Sequence, residues 1–76
     1  MAITTTAQQV GANVRAEAAR RQINGSELAR GVGLSQSAMS RRLVGSHPFT
    51  ITELVLVADF LGLPIATFLP AESGAA

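Results

Sequence analysis

At three helix starts in 76 residues a Thr or Asn stands three positions ahead of a Glu or Gln, with an apolar-periodic run behind it: Thr6 and Gln9, Asn24 and Glu27, Thr50 and Glu53. This is the capping-box arrangement, in which the first side chain accepts from a backbone N–H of the opening turn and the third helical side chain returns the bond. Ser35 supplies a fourth N-cap. Gly33, Gly45 and Gly62 follow the later runs, where residues tolerant of left-handed backbone end helices. Start and stop signals spaced this closely leave room only for short helices, and no stretch alternates with period two for long. The first helix is expected from about Ala7 to Gln22, burying Ala7, Val10, Val14 and Ala18. A second runs over residues 25–32 on Leu28, Ala29 and Val32, and a third over residues 36–44 with Met39 innermost and Leu43 beside it. A fourth runs over residues 51–61, turning Ile51, Leu54, Ala58 and Leu61 inward. Pro64 suits the first turn of a fifth, over residues 64–69, whose Phe68 and Leu69 cover the core. The expectation is an all-α domain of five helices over residues 6–69, with an arm at 1–5 and a flexible tail at 70–76.

A chain of this size makes one small domain. Without cysteine it has no disulfide framework and no thiolate zinc site. It has one histidine, no lysine, tyrosine or tryptophan, and no carboxylate pair or phosphate-cradling loop. No enzyme, metal or cofactor is expected. The longest apolar run, residues 54–58, is far below the ~20 residues of a membrane span, and no signal peptide is legible at the N-terminus. A cytoplasmic protein is expected. Net charge is +1, but unevenly placed. All six arginines precede Leu43 and meet only Glu17 and Glu27 there, a net +4 over residues 1–45. Glu53, Asp59 and Glu72 stand unopposed after it, a net −3. A basic half beside an acidic half suggests one face for an anion and another for something else.

The second and third helices carry the densest pattern. Two helices joined tightly at a steep angle need a small residue where they touch, here Ala29, and a glycine at the turn, here Gly33. Leu28, Val32, Leu34 and Met39 fix the angle from either side. That describes a helix-turn-helix, although an ordinary αα-corner asks for some of the same. With Met39 inward, the 3.6-residue turn points Ser37, Ser40, Arg41 and Val44 outward, and Gln36 projects from the first turn.

Val10-Gly11-x-x-Val14-Arg15, Leu28-Ala29, Gly33-Leu34-Ser35-Gln36-Ser37, Met39-Ser40-Arg41, Leu54, Ala58 and Leu61-Gly62-Leu63 together resemble the phage-repressor-like helix-turn-helix domains (Cro-like, lambda-repressor-like, xenobiotic-response-element type). The resemblance runs without gaps from about Val10 to Leu69. The variant with Ser40-Arg41-Arg42-Leu43 and Pro48-Phe49-Thr50 is similar to actinobacterial and mycobacteriophage members. It implies a protein of the bacterial host cytoplasm, nucleoid-associated, that binds double-stranded DNA as a homodimer and reads the major groove with its third helix.

The resemblance places Gln36, Ser37, Ser40 and Arg41 at the base-reading positions. Their chemistry agrees: Gln pairs with adenine N6/N7, Arg with guanine O6/N7, and Ser with several edges. Where the family often has a Gln that holds a phosphate and braces the reading Gln, this chain has Gly25, and the bracing of Gln36 is lost unless another residue supplies it. Candidate DNA-backbone contacts are Arg15, Asn24, Gly25, Ser26, Ser35, Arg42 and His47, the start of the second helix offering backbone N–H groups. Capping alone accounts equally for Asn24, Ser26 and Ser35. Arg42 is expected to pack its stem and extend its head to a phosphate, with a solvated flank as the alternative. Arg20 and Arg21 suit a solvated helix face.

On the fourth helix Leu56 and Phe60, with Val55, form an apolar ridge of the kind that marks interfaces. A two-fold dimer would set two reading helices ~34–36 Å apart along DNA. The alternative is that the fifth helix or the arm before Thr6 covers them. The leading expectation is a sequence-specific transcriptional regulator of phage or prophage repressor or Cro type on a palindromic operator. A protein-interaction module, such as an antitoxin or docking domain, and a recombination-directing architectural factor are the alternatives. With no room for an effector domain, no small-molecule ligand is expected.

Overall fold

Caps decide where each element begins. A computed structural model describes residues 5–70. Helices α1 (Thr6–Arg20), α2 (Gly25–Val32), α3 (Gln36–Val44) and α4 (Ile51–Leu61) follow in order, then a 3-10 turn, Ile65–Phe68, with no strand among the described residues. The architecture is all-α as expected, but with four α-helices rather than five. Pro64 lies extended and gives no side-chain cap, and Leu69 is extended again. The fifth element is therefore a single tight turn. The expected arm and tail, apart from Thr5 and Pro70, fall outside the described residues.

The boxes at Asn24 and Thr50 close with both bonds in place, and Ser35 accepts from the Ala38 N–H. The first box sits one residue earlier than the sequence reading put it. The Thr5 hydroxyl accepts from the Gln8 N–H (3.1 Å) and the Gln8 side chain accepts from the Thr5 N–H (2.9 Å). Helix α1 also stops two residues early. Gln22 takes a left-handed φ of 57°, and the Ile23 N–H returns to Ala18 O at 2.9 Å. The turn brings Ile23, half-buried, down against the core. Gly33 is left-handed, φ 85°, at the turn between α2 and α3.

The core joins Val10, Val14 and Ala18 to Leu28, Ala29 and Val32, with Met39 from α3 and Phe68 from the 3-10 turn. On α4 the buried stripe is Leu54, Val57, Ala58 and Leu61. Val57, absent from the sequence reading, is fully buried, while Ile51, expected inward, is 69% exposed. The stripe centres on Leu54, Val57 and Leu61 at i, i+3 and i+7. That leaves Ile51 at its edge, in a first turn that nothing covers. Asn13 donates to Phe68 O at 3.0 Å and accepts from Gln9 at 3.0 Å, tying the 3-10 turn back to α1.

The C-terminal half of α3 rests on α1. A Cβ on Gly11 would lie 2.5–2.6 Å from the carbonyl oxygens of Leu43 and Arg42, and one on Gly45 2.5 Å from the Gln8 Cα. Contact this close requires glycine at both places. It presents the opposite face of α3 to solvent. Among the described residues no helix is long and apolar enough to cross a membrane.

Candidate nucleic-acid interface

The outward face of α3 is the one the helical period dictates. Met39 is buried while Gln36, Ser37, Ser40, Arg41 and Val44 are exposed. Two of these side chains are held in place. The Gln36 side-chain amide donates to the Ser26 hydroxyl across the α2–α3 turn. The Arg41 guanidinium donates to the Ser37 hydroxyl, one turn back, at 3.1 Å. Gly25 cannot brace Gln36, and its neighbour Ser26 does so instead.

A cleft of about 490 Å³ opens beside this face, between α1, α2 and α3. Arg15, Asn24, Gly25 and Ser26 border it from one side and Gln36 and Ser40 from the other. The structure therefore brings together four expected backbone residues and two expected base readers. Ser37 and Arg41 lie one step round α3. Val44 and Ala19 also line the cleft, a role the sequence reading did not assign, although Val44 follows Gln36 and Ser40 at i+4 spacing. Ser35 caps α3 through the Ala38 N–H, 3.1 Å away. His47 sits exposed beyond the far end of α3, its N–H donating to Arg41 O at 3.3 Å.

Charge is partly committed elsewhere. Glu17 accepts from Arg20 at 2.5 Å and from Arg21 at 2.9 Å, and the hydrogen bond from Arg21 is the chief influence holding its carboxyl below the ordinary value. Arg42 departs from expectation. Its stem packs, but its head turns inward to Glu53, 2.8 Å away, with side chains only 14% and 15% exposed. Burial pushes the Glu53 carboxyl up. Hydrogen bonds from Arg42 and Thr50 outweigh it and hold the pKa below its usual value. Among the described residues Arg15, Arg30 and Arg41 make no ion pair. Two of them, Arg15 and Arg41, belong to the cleft rim and to α3.

On α4, Val55, Leu56 and Phe60 are 45%, 44% and 43% exposed. They stay exposed with the 3-10 turn in place, and the arm expected as alternative cover lies, apart from Thr5, outside the described residues. Phe60 leans on α2, its ring occupying the space a side chain at Gly31 would need. No cluster of metal-ligating side chains occurs among the described residues.

No curated protein matches the chain closely. Solved structures do. The clp gene regulator ClgR from C. glutamicum superposes with a TM-score of 0.80 at 23% identity, over 84% of this chain and 83% of that one. The restriction-modification controller protein C.AhdI from Aeromonas hydrophila gives 0.77 at 16%, over 82% and 94%. The S. venezulae BldD DNA-binding domain gives 0.74 at 24%, over 86% and 97%. These likenesses establish the fold, and the helix-turn-helix resemblance read from the sequence holds. The BetR domain family matches residues 3–76, nearly the whole chain, and the chain belongs to that family.

Proposed function

We propose that the protein is a sequence-specific double-stranded DNA-binding transcriptional regulator of phage or prophage repressor or Cro type, reading the major groove with α3. The observation that carries this is the pre-set outer face of α3: Gln36 held by Ser26, and Arg41 held by Ser37. Side chains fixed before binding lose little freedom on meeting base edges. The neighbouring cleft suits the sugar–phosphate strand flanking that groove, with Arg15 and the α2 N-terminal N–H groups toward phosphate. The structural relatives, a gene regulator, a controller protein and a DNA-binding domain, support the same class.

The protein acts as a homodimer on a palindromic operator, joined through Val55, Leu56 and Phe60. Its mechanism is steric occupation of the site. The test compares wild type with Arg41→Ala on an operator duplex and a random duplex over a salt series. The expected result is salt-dependent binding to both duplexes, and an operator preference that Arg41→Ala reduces by about 1–3 kcal/mol. Binding that ignores salt, or equal affinity for both duplexes, overturns the reading.

The exposed ridge on α4 favours a second reading, a protein-interaction module. Arg41→Ala separates the two, because such a module would bind its partner undisturbed by it, whereas Leu56→Asp would disturb both.

A further inference from the structure

Among the described residues one ion pair joins two helices, and it joins the reading helix to α4. Arg42 Nε donates to Glu53 Oε1 at 2.8 Å, and the Arg42 Nη1 donates to Ala38 O, on its own helix, at 3.1 Å. The same Glu53 oxygen accepts the Thr50 N–H at 3.0 Å, and the Glu53 N–H donates to the Thr50 hydroxyl at 3.1 Å. One carboxylate oxygen thus closes the α4 capping box and grips α3. The planar guanidinium fixes two directions at once. A roll or slide of α3 against α4 would strain the Arg42–Glu53 bond, the one hydrogen bond between side chains of these two helices among the described residues. Arg41, the next residue back, projects from the other side of the same turn, so a roll of α3 moves it directly.

We propose that Arg42 and Glu53 form a latch that sets the roll of α3, and with it the points where Gln36, Ser37 and Arg41 meet base edges. Both are positioning residues for DNA reading, a role that rests on the function proposed above. On this reading the Arg42 head serves Glu53 rather than a phosphate. Apolar pairs of similar volume often replace such an ion pair without loss of stability, so what this ion pair adds is direction. The latch also links the reading helix to the helix bearing the exposed ridge.

The experiment compares wild type, Arg42→Met, Arg42→Lys, Glu53→Leu and the double variant Arg42→Met/Glu53→Leu. Thermal midpoint, operator-to-random affinity ratio and salt slope are measured for each. Every variant is expected to lower the ratio by about tenfold, the order of one lost base contact. The double variant falls no further than either single, because the pair acts as a unit, while its midpoint returns to near that of wild type. Glu53→Leu is the most telling arm. Removing an acidic group should help a DNA binder by charge alone, so a lower ratio speaks for geometry. Should Glu53→Leu not fold, Glu53→Gln keeps the Thr50 bond and is expected to lower the ratio about threefold, since a neutral acceptor holds the guanidinium more weakly.

A salt slope reduced by about 0.9 in Arg42→Met, restored by Arg42→Lys, would mark a phosphate contact and overturn the latch. So would a stable double variant, or a folded Glu53→Gln, with the wild-type ratio. A wild type without operator preference overturns the DNA reading itself, and the wild-type ratio alone separates that failure from failure of the latch.

Discussion

Gln36 would be a loosely held reader if Gly25 were all that preceded it. The Ser26 hydroxyl takes up the bracing, and a hydrogen bond of this kind contributes about 1 kcal/mol. Ser26→Ala should therefore weaken operator binding roughly fivefold and leave the thermal midpoint nearly unchanged, as parallel titration and melting experiments would establish. The sequence supplied Gln36 and Ser26 as candidates but not their partnership. Capping accounts for a serine at a helix start equally well, and only the crossing of α2 and α3 brings the two together. Gln22 is the other telling residue. Its φ of 57° costs a residue with a Cβ about 1 kcal/mol that glycine avoids. Gln22→Gly is expected to raise the thermal midpoint by about 4–8 °C, read by calorimetry. Nothing local flagged that position, because its conformation is imposed by Ile23 reaching the core.

Elements are held to one another by close approaches that the sequence conceals. Gly11 looks like a weak spot in α1, yet it is where α3 lies on α1 backbone to backbone. Gly11→Ala must push two helices apart and should cost about 3 kcal/mol. Gly62→Ala meets open space and pays only for its left-handed φ of 71°, about 1 kcal/mol. Denaturant midpoints of the two variants give the comparison directly. Between α3 and α4 the restraint is ionic and carries a pH dependence. Glu53 is held below its usual value of 4.5 in the folded protein. Its contribution is therefore complete above about pH 4.5 and lost as pH falls through the lower folded value. Acid titration of wild type against Arg42→Met/Glu53→Leu should give the double variant the flatter decline below that point. The α2 to α4 boundaries were legible because each has a side-chain cap and a closing glycine. The fifth helix was overread because Pro64 signals a helix start without saying that only four residues follow in helical form.

For the whole molecule, the division into a basic first half and an acidic second half survives, but it is stitched across by Arg42 and Glu53. A sequence reading that assigns charge by segment cannot see such a pair. Leu56, Phe60 and Val55 remain exposed with the 3-10 turn in place. Leu56→Asp is accordingly expected to fold with a nearly normal midpoint, sediment as a monomer, and bind operator more than tenfold more weakly, since two half-sites are no longer held together. The central claim is that the exposed side chains of α3 read base edges, and selection of bound duplexes from a random pool tests it most directly. Wild type should enrich a two-fold motif with half-sites about 10–10.5 base pairs apart. Arg41→Ala should enrich the same motif, degenerate at one position in each half. Enrichment of no motif, or of identical motifs by both proteins, would contradict the account.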